Sequence, residues 1–229
     1  MGKRRLIGKI VILMLGLAAV VILAANSDTI PVSTPKKGYR VVIDPGHGGS
    51  DCGAVGVSGV KEAGLNLAVS LYLKEELEAL GMEAILTRSD ERALAEGKKA
   101  DMAARGKIMN GEGVDLVVSV HMNKFTDPSV HGPMAFYMKG SAEGEKLAKT
   151  VIDSITDEMG APRRIANPGD YYVIRESMPV SVLVECGFLS NSGDEALLQQ
   201  EQHQKKLAHA IARGIFSYFE GDLGRKPLD

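Results

Sequence analysis

VVIDPGHGG, at residues 41–49, combines a short β-branched run that predicts a buried strand with a turn that ends it abruptly. His47 follows this turn and lies between glycines, whose missing side chains let a metal ion or a substrate backbone come close. A histidine at the carboxyl end of a strand occupies the position where open α/β sheets bind their ligands. The alternative is a polar loop in which His47 has no chemical role.

Helices alternate with strands along the rest of the chain. Apolar spacings near 3.6 residues predict helices at 61–80, 92–111, 143–159 and 203–219. Short apolar or alternating runs predict strands at 83–87, 115–121, 134–138, 171–175 and 180–185, with 134–138 expected at an edge. The sequence therefore predicts a single α/β domain, with a mostly parallel or mixed twisted sheet flanked by helices on both faces.

The first 25 residues differ from the rest. Lysines and arginines at positions 3, 4, 5 and 9 precede 16 apolar residues at 10–25, a pattern typical of an export signal. Because a membrane span needs about 20 residues, a cleaved signal peptide and an uncleaved anchor both remain open. Either one places the remainder outside the cytoplasmic membrane. The expected organisation is a signal peptide or anchor at 1–25, a linker at 26–38, one domain at 39–220 and a tail at 221–229.

Charge and cysteine content limit the class of partner. Without residues 1–25, which carry four positive charges and no negative ones, the net charge changes from −2 to −6. A mildly acidic exported domain binds nucleic acid poorly, since affinity for phosphate comes from clustered Lys and Arg. Cys52 and Cys186 could form a disulfide in an oxidising compartment, or remain as two free thiols.

Polar residues that can bind a metal ion follow three of the predicted strands. VVI leads into His47, LVVSV into His121 and VSVLV into Glu185. Because the carboxyl ends of parallel strands share one edge of a sheet, these side chains can meet in one crevice. Glu62, at the expected start of the first helix, follows the glycine-rich loop and can fold over the same edge.

This set of residues suits hydrolytic chemistry. Two imidazoles and one carboxylate form a three-ligand zinc set that leaves the fourth position open for water. Zinc lowers the pKa of that water, and a second carboxylate can take its proton and pass it to a leaving amine.

Simpler explanations exist for most of these residues. A histidine at a strand end is often a capping or surface residue, and an acidic residue such as Glu62 is favoured at a helix amino terminus by the dipole. Glu185 is harder to explain structurally, since an unpaired carboxylate at the end of a buried strand is costly. The histidines at 131, 203 and 209 lack such a placement and are expected on the surface or in helices.

Several motifs carry a family resemblance. VVIDPGHGGSDCGAVG followed by KEAGLNLAVSLYLKEELEALG resembles the opening of the zinc-dependent N-acetylmuramoyl-L-alanine amidases of bacterial cell walls, amidase type 3. LTRSDE, RGKIMN, DLVVSVHMN and VLVECGFLSN resemble the later motifs in the same order, and the similarity extends from about residue 39 to 219. NKFTDPSVHGPMAFYMKGS, with no added domain, most resembles the germination-specific, spore-cortex branch.

The resemblance implies a function and a role for each site residue. It implies that His47, Glu62 and His121 bind Zn²⁺ and that Glu185 is the catalytic acid/base. The reaction implied is hydrolysis of the amide between the lactyl group of muramic acid and the L-alanine of the peptidoglycan stem peptide. Since no wall-binding repeat follows the domain, a membrane or lipoprotein partner is expected to supply targeting or activation.

The chain departs from the family pattern at two positions. Met122 stands where relatives usually carry a small residue, so the pocket shape is expected to differ, and Cys52 replaces a commonly apolar or polar loop residue. Only residues 139–142 separate the strand at 134–138 from the next helix, so the inhibitory helix of some relatives is not expected.

Two other functions compete with the amidase. A non-catalytic peptidoglycan-binding protein with the same fold is one, but all four site residues are present. A zinc-dependent deacetylase acting on the glycan is the other, but its paired aspartates and HxxxH spacing are not found.

Overall fold

The computed structural model describes residues 38–162 and 164–222. The strands are β1 (Arg40–Pro45), β2 (Glu83–Leu86), β3 (Leu116–Asn123), β4 (Met134–Met138), β5 (Asn167–Gly169) and β6 (Val180–Phe188). The helices are α1 (Glu62–Ala79), α2 (Lys98–Met109), α3 (Ala142–Met159), α4 (Tyr172–Glu176), α5 (Ser192–Leu198) and α6 (Glu201–Asp222). The expected export segment, nearly all of the expected linker and most of the tail lie outside the described residues.

The strands form one mixed sheet in the order β2-β1-β3-β6-β4-β5. Strands β2, β1, β3 and β6 are parallel to one another. Strand β4 is antiparallel to β6, and β5 is parallel to β4. The carboxyl ends of β1, β3 and β6 therefore share one edge. The predicted α/β fold, a single domain with a mixed sheet flanked by helices, is confirmed.

The two faces of the sheet differ in chemistry. One face is apolar and packs against α1, α3 and α6 in the larger core cluster. Side chains alternate along a strand, so Asp44, Ser119 and His121 lie on the opposite face, together with Val42 and Val117. Val42 and Val117 pack there against Met109 of α2 and Val173 of α4. The polar residues of the sheet interior thus face α2 and α4.

The loop between β1 and α1 folds back onto the start of the helix. The N–H of Glu62 donates to Ala54 O at 2.9 Å, and the N–H of Ala63 donates to Cys52 O at 3.1 Å. Two backbone groups at the helix start that have no partner within the helix are satisfied in this way. The same contacts place Glu62 beside the end of β1.

The region from β4 to α4 corrects two sequence predictions. Residues 171–175 were expected to form a strand, but Tyr172–Glu176 forms the helical turn α4, closed by a hydrogen bond from Arg175 N to Tyr171 O at 2.9 Å. A run of only five residues fits either structure, and periodicity cannot distinguish them. The strand lies instead at Asn167–Gly169, where it pairs with β4. Consequently β5 forms the sheet edge, and the expectation of β4 as an edge strand is wrong.

Two helices also differ from the prediction. The helix expected at 92–111 begins only at Lys98, because Gly97 has a φ of +81° and the Asp101 carboxylate accepts a hydrogen bond from Leu94 N at 2.7 Å. Helix α5 was not predicted. Its cap residue Asn191 accepts a hydrogen bond from Asp194 N at 2.9 Å, a common signal of a helix start.

Candidate metal centre

His47 is presented by a strained turn at the end of β1. Gly46 N donates to Val120 O at 3.0 Å, which extends the pairing of β1 and β3 by one residue. His47 then adopts a φ of +61°, the one positive φ of a non-glycine residue within 38–162 and 164–222. A left-handed conformation costs a side-chain-bearing residue about 1–2 kcal/mol, so other contacts must hold His47 in place.

Glu62 lies between the two histidines and is almost fully buried. Its Oε1 lies 2.8 Å from His121 Nδ1, and its Oε2 lies 3.2 Å from His47 Nε2. Oε1 also accepts hydrogen bonds from Met122 N and Asn66 Nδ2, and Oε2 accepts one from Ala54 N. Burial alone would raise the pKa of Glu62, but its hydrogen bonds and charge interactions with the two histidines hold it well below the usual range. The carboxylate is therefore ionised.

The same pairing affects His47. Burial alone would lower the pKa of His47, but the adjacent Glu62 and Asp51 carboxylates outweigh it and raise the pKa. His47 Nδ1 lies 3.0 Å from Asp51 Oδ2, but the two atoms are not aligned for a hydrogen bond. This buried nitrogen therefore has no hydrogen-bond partner. A polar atom left in this state is available to a ligand.

His121 and Glu185 are direct neighbours in the pairing of β3 with β6. The His121 ring lies edge-to-face with the His47 ring, with centroids 5.0 Å apart. One ligand atom each from His47, Glu62 and His121 lies within 4.8 Å of the others. The three residues singled out in the sequence as metal ligands thus come together.

Glu185 lines the same cleft as Glu62 but has different surroundings. It is 7% exposed, and its Oε2 has no hydrogen-bond partner. Burial, together with the negative charge of Glu62, raises the pKa of Glu185 to about 7, even though the charges of both histidines act in the opposite direction. This carboxyl can therefore exchange a proton near neutral pH.

The site residues open into a cleft of about 380 Å³. Its walls are formed by the segment leading into α2, by Asn123 and Lys124 at the end of β3, and by Tyr171 and Tyr172. A Cβ on Gly46 would lie 2.2 Å from the His121 ring, so only glycine allows that imidazole to sit against the turn. Two imidazoles and an ionised carboxylate beside an open cleft are the donor set of a hydrolytic zinc site, so these residues fit such an ion.

Sequence reasoning missed the polar residues beneath the site. Asp44 is buried at the end of β1, where its carboxylate accepts hydrogen bonds from Thr87 Oγ1 at 2.7 Å, Arg105 Nη1 at 2.8 Å and Ser119 Oγ at 2.9 Å. Arg88 is also buried, and burial together with the charge of Arg105 lowers its pKa to about 10, so it stays protonated at neutral pH. The sequence does contain a signal for these residues: an aspartate follows the apolar run of the first strand, and the two arginines lie inside the motifs LTRSDE and RGKIMN.

Residues that were not assigned to the site lie where expected. His131 is exposed in a loop, and His203 and His209 lie on α6, with His209 Nδ1 2.8 Å from Glu76 Oε2. Cys52 and Cys186 are both free thiols. Met122 is almost entirely buried in the core cluster and also lines the cleft.

Comparisons with known proteins relate the chain to one family. The family model for N-acetylmuramoyl-L-alanine amidases, amidase type 3, matches residues 41–217. The germination-specific N-acetylmuramoyl-L-alanine amidase of Bacillus subtilis is 32% identical over 203 residues, which cover 85% of this chain and 85% of that protein.

Two solved structures are similar in fold and sequence. The CwlD amidase from Clostridioides difficile, in complex with the GerS lipoprotein, has a TM-score of 0.77 and 32% identity over 80% of this chain and 100% of that chain. The catalytic domain of the CwlV amidase from Bacillus (Paenibacillus) polymyxa var. colistinus has a TM-score of 0.72 and 33% identity, over 80% of this chain and 98% of that chain. The chain belongs to the N-acetylmuramoyl-L-alanine amidase family.

Proposed function

We propose that this amidase is zinc-dependent, with Zn²⁺ held by His47, Glu62 and His121 and with Glu185 as the acid/base. The amide hydrolysed joins the lactyl group of muramic acid to the L-alanine of the peptidoglycan stem peptide. The observation that carries the proposal is one cleft containing a cluster of three ligand atoms within 4.8 Å of one another and a separate buried carboxyl with an unpaired oxygen.

Each residue has a distinct task in this reaction. Zn²⁺ held by His47, Glu62 and His121 would supply Lewis acidity, which polarises a carbonyl group and makes bound water more acidic. Glu185 in its ionised form takes a proton from the attacking water as the new C–O bond forms. It then gives that proton to the nitrogen of L-alanine as the C–N bond breaks. A pKa near the working pH suits a group that must accept and release one proton.

Metal analysis combined with mass spectrometry of digested peptidoglycan tests the proposal. We expect about one equivalent of zinc per chain and release of stem peptides with a free L-alanine amino group from intact glycan strands. A metal chelator should abolish the release, and added Zn²⁺ should restore it.

Other products would identify the competing functions. Zinc-loaded protein that binds peptidoglycan without cleaving it would indicate a non-catalytic binding protein. Release of acetate with the peptides still attached would indicate a glycan deacetylase. Peptide release that is unaffected by chelation would overturn the zinc assignment.

A role in the spore cortex, reached by export across the cytoplasmic membrane, completes the proposal. Its support is the similarity to the germination-specific amidase of Bacillus subtilis and to the CwlD amidase. Spores of a deletion strain should carry a higher fraction of peptide-substituted muramic acid, while vegetative walls stay unchanged. Unchanged spores with altered vegetative walls would point to a vegetative role instead.

We also propose a lipoprotein partner for targeting or activation. The support is that the similar CwlD amidase was solved in complex with the GerS lipoprotein. The mildly acidic charge of the exported part adds to it, because an acidic domain gains no attraction from an anionic wall.

A further inference from the structure

We infer that Arg88 and Arg105 are positioning residues of the metal centre, which set zinc affinity by holding the backbone of His47 and Glu62 in register. The inference rests on the proposed zinc site. Neither arginine is among the proposed ligands, and both act through main-chain carbonyl groups. Arg105 is 1% exposed and Arg88 is 3% exposed.

Arg105 holds the turn that carries His47. From α2, its Nη1 donates to Pro45 O at 2.7 Å and to the Asp44 carboxylate at 2.8 Å, and its Nη2 donates to the carbonyl oxygen of His47 itself. The Nε donates to Asp101 Oδ2 at 2.7 Å, which fixes the guanidinium plane. The carbonyl group of a strained residue is thus held by a charged donor that is itself oriented by two carboxylates.

Arg88 connects this turn to the helix that carries Glu62. Its Nε donates to Pro45 O at 3.0 Å, and its Nη2 donates to both Gly46 O at 2.8 Å and Ala63 O at 2.9 Å. Ala63 directly follows Glu62 in the first turn of α1. A single guanidinium group therefore joins the residue before one proposed ligand to the residue after another.

Asn66 makes a parallel connection. Its Nδ2 donates to Gly46 O at 3.2 Å and to Glu62 Oε1 at 3.1 Å. The Gly46 carbonyl oxygen consequently accepts hydrogen bonds from Arg88 and from Asn66, both of which also bond to the first turn of α1. These two side chains hold the separation between the His47 turn and the Glu62 helix, while Arg105 holds the turn itself.

The chemistry of these contacts requires arginine. A guanidinium group presents five donors in a rigid planar fork, whereas a lysine ammonium is a compact point charge on a flexible stem. Arg105→Lys and Arg88→Lys keep the buried charge but cannot reach several carbonyls in fixed directions. A residue needed only to neutralise Asp44 would tolerate lysine, whereas a positioning residue would not.

Zinc affinity, measured by competition with a chelator, separates the two roles. Groups that orient metal ligands typically contribute 10–100-fold to metal affinity, and we expect a loss of that size in each lysine variant. In the Co²⁺-substituted protein, the visible absorption bands should shift, since they depend on the coordination geometry. Val151→Ala, at a fully buried position of α3 in the core, is the control: it should lower stability with no change in zinc affinity or cobalt spectrum.

Each outcome decides the inference. Lysine variants that lose stability but bind zinc within twofold of the parent, with unchanged cobalt bands, would overturn it. If Arg105→Lys fails to fold, Arg88→Lys decides, because the contacts that Arg88 makes end on backbone carbonyls and leave no buried carboxylate unpaired. Parent protein that binds no zinc would refute the proposed function instead, which keeps the two failures distinguishable.

Discussion

Two glutamates in one cleft have opposite electrostatic surroundings. Glu62 accepts hydrogen bonds from two backbone N–H groups and Asn66 and lies within 3.2 Å of both imidazoles, so its charged form is stabilised. Glu185 is buried with an unpaired oxygen, so its charged form is destabilised and its pKa rises to about 7. Two carboxyls whose surroundings shift their pKa values in opposite directions typically have different roles in one site.

The first prediction separates ligand from catalyst. Glu62→Ala should lose zinc, because two histidines alone hold the ion weakly. Glu185→Gln should keep zinc and fold normally but lose about 10²–10⁴ in rate, the usual contribution of a general acid/base. Metal content by plasma emission and amide cleavage on intact peptidoglycan would be measured for both variants. Retention of a full equivalent of zinc by Glu62→Ala, or parental rates in Glu185→Gln, would contradict these roles.

The second prediction concerns the pH dependence of stability in the metal-free protein. The pKa of Glu185 is raised from its usual value of 4.5 to about 7, so between these values the folded state binds a proton that the unfolded state has released. The contribution of Glu185 to the free energy of unfolding therefore falls as pH rises through this window and stays low above about pH 7. A difference of one in pKa corresponds to about 1.4 kcal/mol, so the whole change amounts to roughly 3 kcal/mol.

Replacing the carboxyl with an amide removes this titration. Denaturant unfolding with chelator present measures the free energy of unfolding of both proteins. The stability of Glu185→Gln relative to the parent should be greater at pH 8 than at pH 5.5. The parent-minus-variant difference isolates Glu185 from the other ionisable groups, which both proteins share. An identical difference at both pH values would show that Glu185 does not titrate in this window.

At the scale of elements, the parallel pairing of β1, β3 and β6 assembles the site. It places the residues that follow three separate strands at one edge, with His121 and Glu185 in direct register. Helices α1, α3 and α6 cover the apolar face, and the proposed ligand Glu62 at the start of α1 is their one contribution to the four proposed site residues. Packing changes far from that edge should therefore alter stability without altering the metal centre.

The third prediction tests this separation where α6 crosses α3. A Cβ on Gly214 would lie 2.6 Å from Val151 Cα and 3.0 Å from Thr150 O, so the two helix backbones touch there. Gly214→Ala should destabilise the protein by about 1–3 kcal/mol, as overpacking does. The zinc affinity of the folded protein and its rate of amide cleavage should equal those of the parent.

Gly64→Ala supplies the matched control for the same substitution. Gly64 is exposed on α1, and a Cβ there meets nothing within 4 Å. The variant should gain up to about 1 kcal/mol, because alanine is the better helix former. Thermal unfolding of both variants checks the pair, and equal effects would show that the α3–α6 contact is not tightly packed.

At the scale of the whole molecule, export is proposed to depend on a part of the sequence outside the described residues. Residues 38–162 and 164–222 include no helix both long enough and apolar enough to cross a membrane. The charge and apolar pattern of residues 1–25 leads us to expect that export and tethering depend on that segment.

The fourth prediction concerns that segment. Mass spectrometry of the purified amino terminus should find either a mature start near residue 26, as for a signal peptide, or an intact start in the membrane fraction, as for an anchor. Protein found in the cytoplasm with an intact start would refute export. Full activity and correct placement of residues 26–229 secreted alone would refute the need for tethering or a partner.

Much of the architecture was determined by local sequence pattern alone. The apolar runs before His47, His121 and Glu185 predicted three strands, and parallel pairing then brings their ends together whatever the details of packing. The position of Glu62 at a helix start could be predicted because a strongly periodic helix begins directly after the glycine-rich loop. The short run at 171–175 was misassigned because five residues span too little of either period.

Only the tertiary structure determined how the site is supported. Arg88 and Arg105 act on Pro45 from 43 and 60 residues away, and neither contact leaves a periodic trace in the sequence. The pairing of β4 with both β6 and β5, and the burial that raises the pKa of Glu185, likewise depend on which elements pack together. Hydrogen bonding and desolvation are set by neighbours in space, whereas periodicity records only which face of an element is buried.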